Sequence, residues 1–173
     1  MYNIIMKQNK ALFLDRDGVI NEDHGYVYKV EDFKFIDGVF EVLREFSALG
    51  YMLVVVTNQS GIGRGYYTLE DFYNLTKHML KAFEKEGIEI SKVYFCPHAP
   101  EEECECRKPK PKMITDAAAE LNINLKDSIM IGDKQSDIKA AQNACVGQSY
   151  LLDGINFTSV KDVYEKIKSK GLI

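Results

Sequence analysis

Asp15 and Asp17 stand one residue apart where the apolar run Ala11-Leu12-Phe13-Leu14 stops and Gly18 follows. Two carboxylates so close repel unless a cation lies between them or one keeps its proton, so the pair implies bound Mg²⁺ or a division of acid and base roles. Gly132 and Asp133 end another apolar run, Ser128-Ile129-Met130-Ile131, in the same way, and Asp137 follows. A further run, Tyr51-Met52-Leu53-Val54-Val55-Val56, gives out into Thr57-Asn58-Gln59-Ser60-Gly61. Hydroxyl, side-chain amides and free backbone N–H groups in a Gly-rich turn suit a phosphate. Arg107, Lys108, Lys110 and Lys112 place four cations in six positions. Acids that call for a cation, a turn suited to phosphate and a basic run point to an anionic substrate.

Cys96, His98, Cys104 and Cys106 put three thiols and an imidazole within eleven positions, a complete tetrahedral ligand set. Zn²⁺ prefers these donors, and four protein ligands leave no open position for a reacting water, so the loop 96–106 is read as a structural zinc site. Glu101, Glu102, Glu103 and Glu105 form a solvated face beside it. The four cysteines are no disulfide framework, and Cys145, where a helix ends, is read as a small core residue.

The elements that must position these groups follow from periodicity. Apolar runs bounded by Gly suit parallel strands covered on both faces, and ligands of open α/β sheets gather outside the carboxyl ends of such strands. Val39, Phe40, Leu43, Phe46 and Leu49 recur at helical spacing up to Gly50. A helix between two apolar strands makes them parallel neighbours. A second helix, from about Thr68 to Glu86, carries Leu69, Phe72, Leu75, Met79, Leu80 and Phe83 on one face, and Val93-Tyr94-Phe95 makes a short strand. Pro111 suits the first turn of a helix burying Met113, Ile114, Ala117, Ala118 and Leu121. Asp137 starts another with a small apolar face of Ile138, Ala140, Ala141 and Ala144. Tyr150-Leu151-Leu152 is the last strand, and Val160 to Ile167 the last helix. Between Asn21 and Phe35 the chain is polar and aromatic without a period, so it forms a loop or flap whose Asp23, His24 and Tyr26 are candidate substrate contacts. The expected fold class is α/β, a single domain over residues 1–173 with a mostly parallel sheet and helices on both faces.

A chain of 173 residues can bury a full core without staples. Its net charge of -4 leaves no basic footprint, which argues against nucleic acid as the main partner. No apolar run approaches a membrane span, and Met1 to Gln8 lacks the apolar core of a signal peptide, so a cytoplasmic protein with no membrane partner is expected.

Taken in order, Asp15-Arg16-Asp17-Gly18-Val19, Thr57-Asn58, Lys108-Pro109 and Gly132-Asp133 with Asp137 resemble the motifs of the haloacid dehalogenase-like phosphatase superfamily. Asp23-His24-Gly25-Tyr26-Val27, Cys96-Pro97-His98 and Cys104-x-Cys106-Arg107-Lys108-Pro109 narrow the resemblance, which covers about Ala11 to Val146, to the histidinol-phosphatase-type group. Lys112 stands where a Gly often follows in that group, and the first ten residues and the C-terminal tail match nothing in it. The resemblance implies a Rossmann-like domain without a separate cap, and a phosphatase in which Asp15 attacks phosphorus and Asp17 is general acid and base. It implies Mg²⁺ on Asp15, the Asp17 backbone carbonyl and Asp133, with Thr57 and Lys108 on the phosphate oxygens. Asp23, His24, Gly25, Tyr26, Asn58, Gln59, Ser60, Arg107 and Lys134 would line the pocket. The Asp23–Tyr26 segment and Lys134 favour a heptose bisphosphate, a small-molecule substrate, over histidinol phosphate, and a monomer is expected. A non-catalytic phosphate-binding module is the rival of another class, disfavoured because nucleophile, acid/base, cation and metal carboxylate are all present.

Overall fold

The computed structural model describes residues 7–173; residues 1–6, part of the Met1–Gln8 stretch considered for a leader, lie outside the described residues. Five strands, β1 (Lys10–Leu14), β2 (Tyr51–Asn58), β3 (Ile90–Cys96), β4 (Ile129–Gly132) and β5 (Gln148–Leu151), form one sheet in the order β3-β2-β1-β4-β5. All four neighbouring pairs are parallel. The helices are α1 (Val39–Ala48), a single turn α2 (Ser60–Gly63), α3 (Leu69–Lys85), α4 (Lys112–Glu120), α5 (Gln135–Asn143) and α6 (Val160–Ser169).

Alternation along β1 divides the core. Leu12 and Leu14 face one layer with residues of α1, α3 and α6, whereas Ala11 and Phe13 face the other with residues of α4 and α5. Both faces of the sheet are thus covered, which is why its strands read as continuous apolar runs rather than alternating ones. From β1 the chain winds outward through β2 to β3, then returns to place β4 on the other side of β1. That reversal opens a crevice at the carboxyl ends of β1 and β4, where such folds bind ligands. The Asp15 N–H donates to the Ile131 carbonyl at 3.1 Å, which holds the two strand ends side by side.

The flap from Asn21 to Phe35 is tethered rather than loose. Val27 and Phe33 are buried in the α1/α3/α6 layer, a three-residue 3-10 turn covers Val30–Asp32, and Asn21 bridges Phe35. Several expectations are corrected at element ends. Leu49 caps α1 and Leu69 opens α3, and both are exposed, since each sits where its helix leaves the sheet. Pro111 precedes α4 as its N-cap, its carbonyl accepting from the Ile114 and Thr115 N–H groups. Cys145 is exposed, because the chain turns through a left-handed conformation (φ 62) after α5 and aims its side chain off the core. Strands three and five run longer or earlier than their most apolar residues, over Ile90–Cys96 and Gln148–Leu151. Among the described residues no helix is long and apolar enough to cross a membrane.

Gly147 leads into β5 with its N–H on the Leu125 carbonyl, and a Cβ there would lie 1.9 Å from the Lys126 carbonyl oxygen. Backbone cannot rotate away as a side chain can. Gly147→Ala is therefore expected to cost about 1–3 kcal/mol of stability, the range for overpacking, as read from urea unfolding.

Candidate active site

The centre of the site is a buried ammonium. Lys108 Nζ lies 3.0 Å from Asp15 Oδ1 and 2.6 Å from Asp137 Oδ1, and donates to the Val56 carbonyl at 2.7 Å. Its three N–H bonds are thereby all committed. Burial works against the charge, but Asp15 and Asp137 outweigh it and hold the Lys108 pKa above its ordinary value. The residue is placed by β2: Asn58 Oδ1 accepts from the Lys108 N–H at 3.1 Å and Asn58 Nδ2 donates to the Lys108 carbonyl at 3.2 Å. Both ends of that amide, expected to meet substrate, are spent on the backbone of Lys108.

Asp133, at the end of β4, joins Asp15 and Asp137, with one carboxylate oxygen of each within 4.8 Å of the others. Burial, then the Asp15 charge, pushes Asp133 up to about 7, against the pull of Lys134. Its Oδ1 is buried without a hydrogen-bond partner. Gly18 (φ 82) leaves room for it, as a Cβ there would sit 2.4 Å from Asp133 Oδ2. Three carboxylates facing one ammonium leave two negative charges in excess, and a hard oxygen donor set with an orphaned oxygen fits Mg²⁺. Sequence reasoning left the part of Asp137 open, and its third position in α5 proves to aim it at Lys108.

Asp17 points the other way, into a shell of donors. Its Oδ1 accepts from Arg16 Nη2 at 2.8 Å and Asn21 Nδ2 at 3.0 Å, and its Oδ2 from Arg16 Nη2 at 2.9 Å and Gln59 Nε2 at 3.0 Å. Arg16 also donates to the Val27 carbonyl at 2.6 Å, tying the flap to the acid. Sequence reasoning assigned Arg16 no role. A charged residue inside Asp-x-Asp reads as solvent-facing until the flap is seen to close over it.

A cavity of about 240 Å³ collects most of the expected site: Asp15, Asp17, Asp23, Gly25, Tyr26, Asn58, Gln59, Ser60, Arg107, Lys108 and Lys134 line it. Asp137 of the fourth motif also lines it, as do Tyr67 and Ser136, which the motifs did not single out. His24 is not among the lining residues and pairs with exposed Glu22 at 3.0 Å. Thr57 is fully buried beneath the wall, its Oγ1 accepting from Gln59 Nε2 at 2.9 Å. Lys134 reaches Asp23 across the mouth at 3.4 Å, and Arg107 makes only a 3.5 Å contact to the His98 carbonyl.

The cysteine loop closes on itself. Cys96 Sγ lies 3.4 Å from Cys104 Sγ and 2.9 Å from Cys106 Sγ, and His98 Nδ1 lies 3.6 Å from Cys96 and 3.3 Å from Cys106. Burial pushes the Cys96 thiol up. Cys104 is also opposed by burial, yet hydrogen bonds from the neighbouring thiols and the Arg107 and Cys106 N–H groups bring it down to about 7.

Residues 6–148 match the family model for haloacid dehalogenase-like hydrolases. The chain belongs to this family. Among haloacid dehalogenase-like relatives, the D-glycero-beta-D-manno-heptose-1,7-bisphosphate 7-phosphatase of Helicobacter pylori (strain ATCC 700392 / 26695) is 56% identical over 148 residues, 85% of this chain and 86% of that one. The D-glycero-alpha-D-manno-heptose-1,7-bisphosphate 7-phosphatase of Campylobacter jejuni is 54% identical over 146 residues, 84% of this chain and 84% of that one. The crystal structure of D,D-heptose 1,7-bisphosphate phosphatase from B. bronchiseptica complexed with magnesium and phosphate superposes with a TM-score of 0.77 at 30% identity. That match covers 82% of this chain and 79% of the other.

Within this haloacid dehalogenase-like site, removing the ammonium would strand the Asp15 and Asp137 charges. Lys108→Met is expected to destabilise the metal-free protein by about 3–5 kcal/mol in chemical unfolding, and added Mg²⁺ to restore part of the loss.

Proposed function

We propose that this protein is a Mg²⁺-dependent phosphatase that removes the 7-phosphate of D-glycero-D-manno-heptose 1,7-bisphosphate in heptose metabolism. The observation that carries the reading is the Asp15, Asp133 and Asp137 carboxylate group, of which Asp15 and Asp137 pair with Lys108 and line the same cavity as Asp17. The substrate follows from the names of the similar phosphatases. Asp15, with one oxygen held by Lys108 and its own loop, attacks phosphorus; the bond to the sugar oxygen breaks and an aspartyl phosphate forms. Asp17 gives its proton to that departing oxygen, then takes one from the water that hydrolyses the intermediate and frees Asp15. Asp15, the Asp17 carbonyl and Asp133 would hold Mg²⁺, which when bound neutralises charge between the nucleophile and the dianionic phosphate. Thr57 offers a hydroxyl to the transferred phosphate, and Lys108 offsets its charge.

A bisphosphate also needs cations at the end that does not react. Arg107, with one long contact, and Lys134, at the mouth, are the side chains on the cavity wall for that end, and a guanidinium can pair with phosphate in bidentate fashion. The Cys96, His98, Cys104 and Cys106 set supports a structural Zn²⁺ that holds Arg107 and Lys108 in place. The cytoplasm is the compartment this reading requires, since it keeps such thiols reduced. A monomer fits, because one chain supplies all the groups named.

Phosphate release with Mg²⁺ from both heptose bisphosphate anomers, histidinol phosphate and common sugar monophosphates tests the substrate. A heptose bisphosphate should give the highest kcat/KM, and a preference for histidinol phosphate would overturn the assignment. Asp15→Asn should abolish turnover while folded, and Asp17→Asn should be slower by roughly 10²–10⁴-fold.

The metal loop has its own test. Elemental analysis of protein purified without chelator should find one zinc per chain, and Cys104→Ser should lose it together with several degrees of melting temperature. Zinc-free protein of unchanged stability would rule the metal out.

A further inference from the structure

We propose that Gln59 and Tyr67 are positioning residues for the reaction: the Tyr67 hydroxyl fixes the Gln59 amide, and that amide holds Asp17 and Thr57 in their working orientations. The argument is one of donors and acceptors and rests on the phosphatase reading above. A glutamine amide has one oxygen to accept and two N–H bonds to give. Gln59 Oε1 accepts from the Tyr67 hydroxyl at 2.6 Å, while Nε2 donates to Asp17 Oδ2 at 3.0 Å and Thr57 Oγ1 at 2.9 Å. Both N–H bonds of the amide are used and its oxygen is engaged by Tyr67, so it has no donor left to give a phosphate oxygen, the role its place in the motif suggested.

The flipped amide is excluded by the same contacts. It would turn Oε1 against the Asp17 carboxylate, two acceptors facing each other with no hydrogen between them. Burial pushes the Tyr67 phenol up to about 12, so at neutral pH it keeps the proton it gives to Gln59. For Thr57 the consequence is direct. Because Oγ1 accepts from Gln59, its own hydrogen is left to point elsewhere, and the phosphate transferred to Asp15 is the acceptor the mechanism supplies. For Asp17 the amide is the one donor to its carboxylate that comes from the turn directly after β2 rather than from residues beside Asp17 in the chain. It ties the acid/base to the strand that carries the phosphate-binding hydroxyl.

Tyr67 is itself held for this purpose. Its ring lies flat on flap residue Tyr28, with centroids 5.1 Å apart and planes at 5°. Its other edge presses on Gly61, where a Cβ would come within 2.1 Å of Cε1. A side chain at position 61 would displace the ring, so this glycine keeps the path open between flap and amide. The flap, through Tyr28 and Tyr67, thereby acts on the acid/base as well as covering the cavity.

The test compares kcat and KM for the heptose bisphosphate and for p-nitrophenyl phosphate across the wild type, Tyr67→Phe, Gln59→Leu and the double variant, each checked by thermal melting. Tyr67→Phe keeps the stacked ring and loses only the hydroxyl, so kcat should fall about tenfold on both substrates with KM unchanged. Gln59→Leu should fall about 10²-fold, and adding Tyr67→Phe to it should cost less than about twofold more, since Tyr67 acts only through the amide. If Gln59→Leu does not fold, Gln59→Met takes its place in the cycle. Losses that multiply in the double variant would overturn the relay. So would a Tyr67→Phe enzyme equal to wild type, or a Gln59 variant that raises KM for the bisphosphate while sparing the aryl phosphate. Those outcomes leave the phosphatase reading standing, whereas a wild-type protein inactive on both substrates would remove that reading and the relay with it.

Discussion

Lys108 sits with its ammonium buried between Asp15 and Asp137, and the remainder of the site is arranged around what that burial demands. A lone buried ammonium would lose its proton, and two or three buried carboxylates without it would gain theirs. Each group is charged because the other is present. Asp133 completes the cluster without pairing with Lys108, and its raised pKa and orphaned oxygen mark the crowding of negative charge there. A divalent cation is the charge that this geometry lacks. The same arrangement sets the Lys108 ammonium beside Asp15, where it offsets the repulsion a phosphate would meet in the proposed reaction.

The topology follows from the same constraint. Asp15 and Asp133 come from strands that are neighbours in the sheet but more than a hundred residues apart in the chain, and only the reversal between β1 and β4 puts their ends together. Lys108 comes from neither strand. It is delivered by the loop behind Cys104 and Cys106 and seized by Asn58, so the cysteine loop and β2 jointly decide where the ammonium lies. This explains why the Cys96, His98, Cys104 and Cys106 cluster stands so close to the carboxylates. The loop that it closes carries both the ammonium of the carboxylate cluster and Arg107 at the cavity wall.

The flap supplies part of the cavity wall through Asp23, Gly25 and Tyr26. It is pinned into the core by Val27 and Phe33, bound to Arg16 through the Val27 carbonyl and stacked on Tyr67 through Tyr28. Asp17 lies where these ties converge. Its carboxylate is accordingly ordered by Arg16 from its own loop, Asn21 at the start of the flap and Gln59 just after β2, which suits the proton transfers proposed for it.

Much of this was legible in the residues themselves. Strands covered on both faces must be apolar throughout, so the runs ending at Asp15, Thr57 and Asp133 announce a parallel sheet and the edge at which its chemistry lies. The spacing of Cys96, His98, Cys104 and Cys106 is local, and that four such side chains cluster can be read without a fold. What periodicity misjudged were ends: Leu49, Leu69 and Cys145 continue a pattern past the point where the element stops touching the sheet, and nothing nearby in sequence marks that point. The larger omissions are pairings between distant residues. That Arg16 is buried depends on the Val27 carbonyl and the flap above it, that Asn58 is spent on Lys108 depends on a contact across fifty positions, and that both N–H bonds and the oxygen of Gln59 are engaged depends on Asp17, Thr57 and Tyr67 all reaching it. A sequence states which hydrogen bonds a side chain can make; only the tertiary structure decides which partners are within reach, because a hydrogen bond is set by distances of a few tenths of an ångström that residue type and spacing do not carry.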